Sequence, residues 1–208
     1  AGGSSAAGSS SDAPIDVHRS LPNRLTSPFT MNKFIGIVLT LVIAFGFLVP
    51  QLFLSKSFAM DRGNVIDAPQ AEIQAIVGDL STWKDWTAWN KEADPSLVYT
   101  YIGEANTVGH SMEWTGDELG NGKLTLTGIK PGQIDYDMEF EGDGNSRGAI
   151  ILEPAVGKDG STAVRWEFSG TMEGMPFNRY FGLLMEKMVG PDFEQGLVDL
   201  KALVESKK

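Results

Sequence analysis

The sequence predicts an α+β protein: a curved antiparallel β-sheet wrapped on one long C-terminal helix, preceded by one N-terminal transmembrane helix. Three observations predict it. The run from Phe34 to Leu54 carries no charged residue, and at about 1.5 Å per residue a helix of that length crosses a hydrocarbon core of about 30 Å. From Leu97 onward, apolar and polar residues alternate between closely spaced glycine-rich turns, the pattern of antiparallel strands with one wet face. The last segment returns to helical spacing and is the only element long enough to cover such a sheet.

Three segments follow: a leader over residues 1–30, a signal-anchor helix over 31–55, and one globular domain over 56–208. The leader begins Ala-Gly-Gly-Ser-Ser and is too poor in apolar residues to fold. Met31-Asn32-Lys33 reads as a natural start, so the leader is set aside from fold reasoning. The apolar run exceeds the usual signal-peptide core, although Ser57-Phe58-Ala59 offers the small residues that a signal peptidase reads. An uncleaved anchor is the expectation. Lys33 and Arg24 before the run balance Lys56 and Arg62 after it. The short N-terminal side then favours a domain outside the cytoplasm, on the periplasmic face.

Of the 27 acidic residues only Asp12 and Asp16 precede Ser55, and of the 17 basic ones only Arg19, Arg24 and Lys33. The domain therefore holds 25 acids, 14 bases and a net charge of −11. Phosphate backbones repel such a surface, which excludes nucleic acid as a partner. The chain has no cysteine. Disulfides, thiolate nucleophiles and Cys-ligated zinc are excluded with it, and no metal-ligand cluster or cofactor motif is present.

In the domain, Phe58 to Asp67 reads as a first strand. Asp67-Ala68-Pro69 then starts a helix carrying Ile73, Ile76 and Val77, with Asp67 as its acidic cap. Trp83, Trp86 and Trp89 recur every third residue, which predicts a second short helix with one aromatic face. Strands are expected over 97–102, 109–115, 123–129, 133–141, 147–154 and 162–171. In the fourth of these, Ile134, Tyr136, Met138 and Phe140 face one way and Asp135, Asp137, Glu139 and Glu141 the other. The closing helix runs from about Phe177, with Phe193, Leu197, Leu200 and Val204 as its apolar stripe. Gly190-Pro191 is expected to kink or divide it.

These residues resemble a known family. Asp79-Leu80-Ser81-Thr82-Trp83-Lys84-Asp85-Trp86, Gly109-His110-Ser111-Met112-Glu113-Trp114, Thr162-Ala163-Val164-Arg165-Trp166 and Gly196-Leu197-Val198-Asp199-Leu200-Lys201 are similar to motifs of the START-like, or SRPBCC, helix-grip superfamily. The likeness is strongest to its polyketide cyclase/dehydrase-like, membrane-anchored bacterial members. The resemblance implies a cavity between the long helix and the curved sheet. Trp83, Trp86, Trp114, Tyr136, Met138, Phe140, Trp166 and Phe168 would line it, with Phe181, Met185 and Met188 from the helix. Large aromatic and methionine side chains suit an adaptable apolar pocket, and equally fill a core.

Catalytic residues are not expected. His110 stands alone beside Glu113, and the acidic strand face spaces its carboxylates about 7 Å apart, too far for one ion. The expected function is a membrane-anchored, non-catalytic binder of a hydrophobic small molecule or lipid. Its partners would be the bilayer, through residues 34–54, and that ligand. Two alternatives stand beside it. One is a cyclase- or dehydrase-like enzyme using His110, Glu113, Arg165 or Tyr136. The other is an accessory subunit that docks on other membrane proteins through Gly36, Thr40 and Gly46.

Overall fold

The computed structural model describes residues 28–53, 57–141, 145–171 and 178–207. Most of the leader and the expected Gly142–Gly144 turn lie outside these residues. The chain divides near Phe45 into two units, residues 1–45 and 46–208. Helix α1, Pro28–Phe53, begins in the first and ends in the second. Its stretch Asn32–Val49 has a mean hydropathy of 2.2 and none of it is buried, so it is long and apolar enough to span a membrane. Thr40 donates its hydroxyl to the Gly36 carbonyl at 2.9 Å, which satisfies that polar group within the helix.

The second unit holds one seven-stranded antiparallel sheet. Its strands are β1 (Ser57–Ile66), β2 (Val98–Ile102), β3 (Ser111–Thr115), β4 (Gly122–Lys130), β5 (Gln133–Phe140), β6 (Asn145–Pro154) and β7 (Thr162–Thr171), in the spatial order β1-β7-β6-β5-β4-β3-β2. The strands after β2 are joined as successive hairpins. The first strand instead pairs with the last, from Ser57 opposite Thr171 to Ile66 opposite Thr162. A bulge between Leu126 and Gly128 shifts the register of β4 against β5, the usual device for bending a sheet.

Helix α2 (Gln70–Val77) buries Ile73 and Val77. Its cap differs from expectation. Pro69 occupies the N-cap without a side-chain bond. Asp67 instead ties distant segments: its backbone N–H donates to Glu205 at 2.9 Å, and its carboxylate accepts from Ser161 at 2.9 Å and pairs with Lys158. The next element is a 3₁₀ helix, Leu80–Asp85. Three residues per turn eclipse positions i and i+3, which sets Trp83 and Trp86 on one side. Asp79 caps this helix, accepting from the Ser81 N–H at 3.0 Å.

Helix α3 (Asn178–Glu205) continues through Pro191 as a single helix, where the sequence predicts a kink or break. Phe193, Leu197, Leu200 and Val204 are all buried, so the predicted stripe is the packed face. Arg62 helps fix α3 on β1. Its guanidinium donates to Glu194 at 2.7 Å and reaches Glu186 at 3.6 Å. These two glutamates flank Gly190, where a side chain would collide with Arg62.

Candidate ligand site

Cross-strand register sorts the side chains into two faces. Phe58, Met60 and Arg62 of β1 share the inner face with Phe168 and Trp166 of β7, Ile150 of β6, and Ile134, Tyr136 and Met138 of β5. Among the described strand residues on this face, Arg62 is the only charged one. It is in phase with Phe58 and Met60, so the period-two signal that located the apolar residues also locates it.

At the centre stands an aromatic cluster. Trp83 and Trp86 lie 4.9 Å apart between ring centroids, and Trp166 lies 5.8 and 5.1 Å from them. Tyr136 meets Trp83 edge-on at 5.4 Å, and Trp166 meets Phe193 of α3 at 4.0 Å. At the far end of the inner face, Trp114 packs on Phe140 at 5.5 Å and on Trp89 at 6.4 Å. Two glycines make room for the large rings. A Cβ at Gly148 would strike the Tyr136 ring, and one at Gly122 the Trp114 ring.

The expected lining residues are distributed as follows. Trp83, Trp86, Trp114, Tyr136, Met138, Trp166 and Phe168 are buried in one core. Phe140 and Met185 are partly buried against it, and Met188 is 56 % exposed. Phe181 lies in the stretch of α3 whose side chains fall outside the described ones. Trp89 and Val189, absent from the expected lining, join Phe140 and Met185 as partly buried residues packed on the core. The three-residue spacing already marks Trp89; Val189 lies one helical turn beyond the expected Met185.

Polar groups within this core divide unevenly. Trp83 donates its indole N–H to the Val77 carbonyl at 2.8 Å, and Trp166 donates to the Tyr136 hydroxyl at 2.7 Å. Among the described residues, the indole N–H groups of Trp86 and Trp114 are buried without a hydrogen-bond partner. Burial pushes the Tyr136 phenol far above its ordinary range, against the opposing effect of the Trp166 hydrogen bond.

The other residues considered for chemistry lie elsewhere. His110 is buried. Its Nε2 accepts from the Leu80 N–H at 3.3 Å, and its Nδ1 lies 3.2 Å from the Ile102 carbonyl. This pairing assigns the proton to Nδ1 and engages both nitrogens. Glu113 pairs with Lys123 at 3.0 Å, and Arg165 pairs with Glu167, all on the outer face. A shallow cavity of about 570 Å³ opens on that face, lined in part by Ala59, Asp61, Asp137, Arg147 and Glu167. Among the described residues no group of three His, Asp or Glu is placed to hold a metal ion.

An antiparallel sheet gripping a long C-terminal helix, with an aromatic inner face, defines a helix-grip protein. The chain belongs to the polyketide cyclase/dehydrase and lipid transport family, whose sequence pattern matches residues 58–205. It is a ligand-binding family of the START-like superfamily. No protein of curated function matches the chain in sequence. Among solved structures, a Thermus thermophilus protein, TTHA0849, is 14 % identical, with a TM-score of 0.56 over 72 % of this chain and 99 % of its own. Norcoclaurine synthase from Thalictrum flavum, solved with dopamine and hydroxybenzaldehyde, is 14 % identical, with a TM-score of 0.54 over 77 % and 93 %. A Thermobifida fusca protein is 18 % identical, with a TM-score of 0.52 over 71 % and 93 %. At these identities the likeness is one of fold.

Proposed function

We propose that this protein is a membrane-anchored, non-catalytic module that binds a hydrophobic small molecule or lipid on the inner face of its sheet. One observation carries the reading: among the described strand residues of that face only Arg62 is charged, and Glu194 engages it. Such a surface offers apolar contact to a guest and few titratable groups for proton transfer. Guest entry is assigned to the partly buried residues packed on the core, among them Trp89, Phe140, Met185 and Val189. Methionine and aromatic side chains repack there at low cost.

Helix α1 serves as the tether, with the domain on the periplasmic side. Only residues 54–56 separate the end of α1 from the start of β1. The domain is therefore held near the headgroups, where a membrane-partitioned guest is concentrated. Native mass spectrometry of the full chain, extracted in mild detergent, tests the reading. A retained apolar adduct is the expected result. Bare protein that also fails to take up added long-chain alkanes or ketones would overturn it.

A further inference from the structure

We infer that the preferred guest carries a neutral hydrogen-bond acceptor, such as a ketone, ester or amide carbonyl, to which the indole N–H of Trp114 or of Trp86 donates. The inference rests on the binding role proposed above and specifies its chemistry.

An indole nitrogen donates and never accepts. Four tryptophans are buried in this core, and two of them find acceptors in the Val77 carbonyl and the Tyr136 hydroxyl. The other two, 1 % and 2 % exposed, find none among the described residues. The Tyr136 hydroxyl accepts from Trp166, and among the described residues its own hydrogen has no acceptor. The aromatic core is thus rich in donors and short of acceptors. Leaving a buried donor unpaired costs free energy that an apolar side chain of similar shape would not. A guest bearing an acceptor removes that cost, and a pure hydrocarbon does not.

The positions suit the role. Trp114 packs on Phe140 and Trp89, both only partly buried, so two of the rings against it reach the domain surface. Trp86 is linked to Trp114 through the rings of Trp166, Phe193 and Trp89. The acceptor is neutral because, among the described strand residues, no free cation balances a buried anion on this face. Among its described strand residues Arg62 is the only charged one, and Glu194 and Glu186 occupy it.

The test uses the full chain, stripped of lipid in maltoside micelles and labelled at its five tryptophan indoles. It is titrated with 2-undecanone and with n-undecane. The ketone is expected to bind about three- to tenfold more tightly. Of the two indole N–H resonances identified by their loss in Trp86→Phe and in Trp114→Phe, at least one should move downfield with the ketone only. Equal affinity for both probes with unmoved resonances overturns this inference and leaves the apolar-binding role standing. Failure of both probes to bind overturns the two together. The resonances are read in the unmodified protein, so the inference is decided even if a variant fails to fold.

Discussion

A methyl group at Gly148 has nowhere to go, because the Tyr136 ring already fills that space. Gly148→Ala is therefore expected to destabilise the domain by about 1–3 kcal/mol through overpacking, read as a lowered urea midpoint. His110 works differently. It bridges two backbone groups, the Leu80 N–H and the Ile102 carbonyl, and so joins the 3₁₀ helix to the end of β2. His110→Ala strands both groups, at a cost of about 1–3 kcal/mol. If a general base were lost instead, stability would be unchanged. This role was not legible in the sequence, because its partners are main-chain atoms about 30 and 8 positions away, which no side-chain pattern records.

Strands were the most legible elements. Alternation in β5 and β7 placed Tyr136, Met138, Trp166 and Phe168 on one face from residue identity alone, and register confirms the shared face. Local cues at helix ends were weaker guides. Asp67 stands where a cap is expected, yet Lys158, Ser161 and Glu205 draw it into tertiary contacts. Pro191 stands where a break is expected, yet α3 continues. Packing supplies what the local sequence opposes, with Phe193 and Leu197 buried just beyond the proline. Alternation names an aromatic face but does not say how closely its rings approach; the Trp166–Phe193 separation of 4.0 Å is a fact of packing. The Arg62–Glu194 pair joins α3 to β1, but the Glu194 side chain is 63 % exposed. A double-mutant cycle with Arg62→Met and Glu194→Gln should give a coupling of only about 0.2–1 kcal/mol, falling with added salt.

Across the whole molecule, acid is the expected point of weakness. Asp94 is buried and holds the β3–β4 turn: it accepts from the Ser96 hydroxyl at 2.6 Å and from the Glu118 and Leu119 N–H groups at 2.9 and 3.0 Å. These bonds, the Ser96 hydroxyl foremost, hold its carboxyl down at about 2, from an ordinary 3.8. Asp67, beside Lys158, and Glu205, beside the Asp67 N–H, are lowered as well. A carboxyl lowered on folding stabilises the native state above its unfolded value, and that stability is lost as protons bind below it. The urea midpoint should hold steady above about pH 5 and fall steeply between about pH 4 and pH 2. Asp94→Asn should flatten that fall. Removal of residues 1–53 should leave the melting temperature of the domain nearly unchanged, since its core is drawn from Phe58 onward. Circular dichroism of the truncated chain checks this.

The pairing of β1 with β7 also sets the order in which the molecule can be assembled. Ser57 meets Thr171, and Ile66 meets Thr162, so the strand made first waits for the strand made last. The hairpins from β2 to β7 can form as they emerge, but β1 cannot complete its ladder until nearly the whole domain has been synthesised. Closing so long a loop raises contact order and slows folding toward the millisecond-to-second range. During that interval β1 presents an unpaired edge at the point where the chain leaves its apolar helix, the stage at which this protein is most open to wrong partners.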